Sequence, residues 1–171
     1  MSRLATFSRP VWVVIMGVSG CGKSTLGRAV GSEARLPFIE GDDFHSADSI
    51  AKMRSGTALS DEDRREWLDR LARELHIREN GAVLSCSALK QAYRERLSAA
   101  VERLRFVYLQ IGVADARSRV AGRPGQFFPV SLVDSQFAAL EAPTPGPNVL
   151  VLPAMQATSS LCLQTLQWMG Q

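Results

Sequence analysis

A chain of 171 residues, 46% apolar and 22% charged, has the balance of one soluble globular domain long enough to bury a core. Its 20 basic and 17 acidic side chains leave a formal net charge of +3, too mild and dispersed to point to nucleic acid, though it favours anionic small molecules. Three cysteines, Cys21, Cys86 and Cys162, are odd in number and lack metal-ligand spacing, which argues against a disulfide framework and suits a reducing cytoplasm.

Residues 1–10 read as a short flexible lead-in. The apolar run Val11–Met16 that follows is too short for a signal-peptide core or a membrane span, and breaks at Gly17. It reads instead as a buried strand emptying into Gly17-Val18-Ser19-Gly20-Cys21-Gly22-Lys23-Ser24-Thr25. This is the complete G-x-x-x-x-G-K-[ST] phosphate loop, with a strand before it and a helix after it. Small residues at Gly17, Ser19, Gly20 and Gly22 let successive backbone N–H groups turn inward around phosphate oxygens at the positive end of the helix. The Lys23 stem reaches the β- and γ-phosphates, the Ser24 hydroxyl is placed for a Mg2+ bridging the same oxygens, and Thr25 lies a step beyond, on the helix side. ATP and Mg2+ are the expected cofactors.

The first helix is expected to stop near Arg35, ahead of Pro37, and a brief strand, Pro37–Ile39, runs into Glu40-Gly41-Asp42-Asp43. Acids at a strand's carboxyl end either face the ligand crevice of a parallel sheet, for metal or proton chemistry, or shape a turn. Helices are expected over His45–Ser55 and Ser60–Asn80, joined through Gly56 and Leu59. The second opens on a capping box, Ser60 with Asp63, and carries a core stripe of Trp67, Leu68, Leu71 and Leu75. A strand over Ala82–Cys86 leads to Ser87 and to a helix on which Lys90 and Arg94 share a face. Spacing alone fits surface charges equally well.

Arg105–Ile111 reads as the fourth strand and Val113–Gly122 as a helix with Arg117, Arg119 and, just beyond, Arg123. The Gly/Pro loop from Pro124 to Pro129 then suggests a lid over about 119–133 that closes on the triphosphate; spacing does not decide which of Arg119 and Arg123 reaches the transferring phosphoryl group. Ser131–Leu140 is a helix ended by a proline-rich connector, Asn148–Leu152 the fifth strand and Thr158–Met169 a closing helix. Such alternation predicts one α/β domain spanning 1–171: a three-layer P-loop NTPase fold, with a five-stranded parallel sheet, helices on both faces and a small lid. A guanine-reading Asn-Lys-x-Asp is absent, which argues against a GTPase switch.

With these blocks assembled, the chain resembles the gluconokinases, short P-loop kinases related in fold to shikimate and adenylate kinases. The likeness runs from about Val11 to Pro143. Beyond the phosphate loop it rests on Gly41-Asp42-Asp43-Phe44-His45, Lys52-Met53 with Gly56 and Leu59, and Asp61 with Asp63-Arg64 and Trp67-Leu68. Cys86-Ser87-Ala88-Leu89-Lys90 with Tyr93-Arg94, and Ser135-Gln136-Phe137 with Leu140-Glu141-Ala142-Pro143, complete it. The resemblance implies ATP-dependent phosphorylation of the 6-hydroxyl of D-gluconate, a step of carbohydrate-acid metabolism, by a cytoplasmic homodimer. It casts Asp42 as the carboxylate that deprotonates the acceptor, with Lys23 and Arg123 serving the transfer and Arg119 the nucleotide. Arg64, Lys90 and Arg94 are the expected partners of the gluconate carboxylate and His45 of the polyol, while Ser24 and Asp43 are the metal candidates.

The chain departs from the family's usual pattern at Glu40, Ser46, Ser49, Glu66 and Gln126, the last a neutral amide where the family commonly has His. Two other functions stay in view: a kinase of another small hydroxy acid such as shikimate, and a nucleotide-binding regulatory module without transfer.

Overall fold

The computed structural model describes residues 7, 9–123 and 128–171. Five strands, β1 (Val11–Met16), β2 (Phe38–Glu40), β3 (Gly81–Ser85), β4 (Arg105–Gln110) and β5 (Val149–Pro153), form an all-parallel sheet in the order β2-β3-β1-β4-β5. Seven helices connect or close them: α1 (Lys23–Ala34), α2 (Ala47–Arg54), α3 (Asp61–His76), α4 (Gln91–Ser98), α5 (Val113–Ala121), α6 (Ser131–Ala139) and α7 (Thr158–Met169). The expected fold class is the observed one.

Side chains alternate across each strand, so every buried strand feeds two cores. Val13, Ile15, Val83, Val107 and Leu109 pack with Leu26 and Val30 of α1 and Leu161 and Met169 of α7. Val14, Met16, Leu84, Phe106 and Tyr108 face the other way, onto Leu68, Leu71 and Leu75 of α3 and Leu97 of α4. The expected α3 stripe is therefore the buried one. A third, smaller cluster joins Met53 of α2, Leu59, Leu132 of α6 and Phe128 above the sheet's carboxyl edge.

Several boundaries differ from expectation for local reasons. The helix expected over His45–Ser55 is α2, which begins two residues later at Ala47: a 3-10 turn, Gly41–Phe44, precedes it, His45 stays extended, and Ser46 caps α2 by accepting the Ser49 N–H at 3.1 Å. The next helix ends at His76, four residues short of Asn80. The Trp12 indole donates to the carbonyls of Leu75 and Arg78, tying the end of α3 to β1 and turning the chain into β3. Its start is as read: the Ser60 hydroxyl accepts the Asp63 N–H while the Asp63 carboxylate accepts the Ser60 N–H at 2.9 Å. Of the expected lead-in, residues 1–6 and 8 lie outside the described residues. So do residues 124–127 of the expected lid, Gln126 among them.

Candidate active site

Three turns leave the carboxyl edge side by side, those after β1, β2 and β3, and this edge is where parallel sheets collect ligands. The turn after β1 is the phosphate loop. Gly22 caps α1 with φ 97°, a conformation that side chains resist, and so aims the first N–H groups of the helix at the loop's hollow. Lys23 folds back and donates to the Val18 carbonyl at 3.0 Å, while Gly17 N–H is tied to the Ser87 carbonyl after β3.

The turn after β2 carries Asp42. It is held at Gly41, whose N–H donates to Ser85 Oγ at 3.2 Å and whose carbonyl accepts the Trp67 indole N–H at 2.7 Å. A Cβ on Gly41 would run into the Ser85 carbonyl, so only glycine lets the turn sit this close to β3. Trp67 also stacks on the His45 ring, centroids 4.3 Å apart and planes 15° from parallel. One tryptophan of α3 thus positions both groups.

A cleft between these turns is lined by Ser19, Lys23, Asp42, His45, Arg64, Trp67 and Ser87, and roofed by Met53, Leu59, Phe128, Leu132 and Gln136. Asp42 keeps 57% of its side-chain surface open to the cleft, yet the surrounding walls strip enough water to raise its carboxyl above the usual range, Lys23 opposing and Glu40 and Asp43 adding to the rise. His45 is only 6% exposed; burial, with Arg64 nearby, pushes it down to about 4, so the ring is neutral at pH 7. Its Nε2 lies 3.8 Å from Asp42, and its buried Nδ1 has no hydrogen-bond partner among the described residues.

A second cleft also borders the loop, lined by Cys21, Gly22, Thr25, Arg119, Arg123 and, on the way into α7, Ala154, Gln156 and Thr158. Arg119 reaches the loop itself, donating to the Gly20 carbonyl at 3.3 Å. Val18 and Gly20 complete the loop without lining either cleft.

The structure brings Asp42, His45 and Arg64 together with Lys23, but gives three other expected residues different surroundings. Lys90 pairs with Asp61 at 2.8 Å beside Tyr93, next to Arg64 but not lining the cleft. Arg94 donates to the carbonyls of Ala88 and Leu89, bracing a turn in which Ala88 has φ 43°. Glu141 belongs to the same brace: its carboxylate accepts the Gln91 N–H at 2.6 Å and caps α4, whose N-cap residue Lys90 offers no side-chain cap. Asp43 is exposed on its turn and lines neither cleft, and Glu40 faces away, bonded to Ser85 and Arg28. Among the described residues no three His, Cys, Asp or Glu side chains gather for a metal; Ser24, the other expected metal donor, stands in the first turn of α1. Trp67 and Gln136 were not read as site residues, although both stand in the blocks that carried the resemblance.

Phosphate loop, cleft carboxylate and two-sided sheet together define an ATP-dependent P-loop kinase. A family model described as an AAA domain matches residues 12–143. The chain is 41% identical to a probable gluconokinase of Dictyostelium discoideum, over 77% of this chain and 70% of that protein. It is also 41% identical to the thermosensitive gluconokinase of Escherichia coli K12, over 76% and 71%. A gluconokinase crystal structure from Sinorhizobium meliloti 1021 superposes with a TM-score of 0.85 at 37% identity, covering 94% of this chain and 91% of that one. The chain belongs to the gluconokinase family.

Proposed function

We propose that this kinase transfers the γ-phosphoryl group of ATP to the 6-hydroxyl of D-gluconate. The observation that carries the reading is the single cleft shared by Lys23, Asp42 and Arg64: a cation for the phosphate, a base for the hydroxyl, and a cation for the acid's own carboxylate. Asp42 takes the proton of the attacking hydroxyl, and its raised pKa makes it a better base than an ordinary aspartate. Lys23 swings from the Val18 carbonyl to the phosphate oxygens, joined by the loop N–H groups. Neutral His45 lines the same cleft as the neighbour of the polyol, with its Nε2 3.8 Å from Asp42. Mg2+ held through Ser24 would neutralise phosphate charge. Arg119 and Arg123 serve the nucleotide from the second cleft.

Lys90 extends the positive edge beyond Arg64, and Arg94 acts by bracing the turn behind Ser87. The same reading includes a cytoplasmic homodimer. Its support is the three cysteines, all buried free thiols, and the family likeness; no helix among the described residues is long and apolar enough to cross a membrane. The test is ADP release with ATP, Mg2+ and a panel of D-gluconate, shikimate and other sugar acids. Preference for gluconate is expected. Activity on another acid alone would move the acceptor, and ATP binding without turnover on any acid would favour a regulatory module.

A further inference from the structure

The two clefts share one loop: Ser19 and Lys23 line the first, Cys21, Gly22 and Thr25 the second. A nucleoside triphosphate lying along the loop from the second cleft to the first sets its terminal phosphate beside Ser19, facing Asp42. At that point stands a side chain from 117 residues further on. The Gln136 amide oxygen, on α6, accepts the Ser19 backbone N–H at 2.6 Å.

The Ser19 N–H is a natural donor to a terminal phosphate, and while it is engaged by an amide it cannot serve one. An amide, however, carries an acceptor and two donors on one carbon. Rotation of the Gln136 side chain withdraws its oxygen from Ser19 and turns its NH2 toward the same phosphate.

We propose that Gln136 senses the transferable phosphoryl group, releasing the Ser19 N–H to the terminal phosphate of ATP and donating its own amide N–H to that phosphate. This rests on the kinase reading above and adds a contact that ADP, which has no phosphate there, does not make. The position of Gln136 on α6 links the exchange to the acceptor. Leu132, one turn earlier, walls the acceptor cleft with Met53, Leu59 and Phe128, and Asp134 clamps Arg117 of α5 at 2.6 Å. The phosphate that is about to be transferred thereby helps set the wall that its acceptor meets.

The test is calorimetric titration of ADP, and of an ATP analogue with a non-hydrolysable imido bridge, into wild type, Gln136→Glu and Gln136→Lys. The carboxylate still accepts from Ser19 but has no donor and repels phosphate. It is expected to weaken analogue binding at least tenfold while ADP stays within twofold. Lysine, a donor only, is expected to shift the analogue-to-ADP ratio the opposite way. Ratios unchanged in both variants, or equal losses for both nucleotides, would overturn the proposal. Because no acceptor is present in the titration, its outcome is separate from the acid panel: a different preferred acid would change the proposed substrate and leave the nucleotide result standing.

Discussion

The phosphate loop and the acceptor cleft are built on opposite principles although they touch. The loop is one contiguous stretch whose working groups are mostly backbone N–H, aimed by Gly22 and the start of α1. The cleft takes Asp42 from the turn after β2, Arg64 and Trp67 from α3, Ser87 from beyond β3 and Gln136 from α6. Its chemistry depends on burial that only packing supplies, as the raised Asp42 and lowered His45 show. Local geometry therefore secures nucleotide binding, whereas acceptor choice hangs on how distant elements meet.

If that division is right, changes at the acceptor side of the cleft, at His45 or Arg64, leave nucleotide binding intact, whereas Gln136, bonded to Ser19, stands where cleft and loop meet. The largest stability effect is expected from pH at His45. The unfolded ring takes a proton near pH 6.5 and the folded one only near 4, so stability is full above that window and is lost as pH falls through it, by about 3 kcal/mol at the limit. Denaturant titrations from pH 7 to 4 check this, and His45→Gln should flatten the slope. Arg64→Ala comes next: the KM for gluconate is expected to rise about 10- to 100-fold, the worth of a charged hydrogen bond, with ATP binding unchanged. Equal loss of ATP affinity would break the division. Ser60→Ala is expected to cost about 1 kcal/mol in chemical denaturation by removing the cap of α3, with a smaller rise in gluconate KM, since α3 carries Arg64.

The same contrast explains what could be read without the structure. The loop, the capping box, the α3 stripe and the alternation that yields a parallel sheet are all short-range patterns, and each stands where it was expected. Gly41 was legible as part of a turn but not as the glycine that lets it approach Ser85. Lys90 and Arg94 were expected on one helix face, but Lys90 is the extended N-cap just outside α4; Asp61 engages it and the Ala88–Leu89 carbonyls engage Arg94, partners that come from another segment or from an unusual backbone angle. Gln136 meets Ser19 across 117 residues, a distance no periodicity reports.

Asp42→Asn tests the account most directly, because it removes the base while keeping the shape of the turn. Turnover with gluconate should fall by about 10²- to 10⁴-fold, the usual worth of a positioned base, while the ATP analogue binds as to wild type. The variant should also be somewhat more stable at neutral pH, since a carboxylate whose pKa is raised by folding destabilises the fold once ionised. Turnover close to wild type would contradict the account: the proton would then leave by another route, and the cleft would lose its central residue.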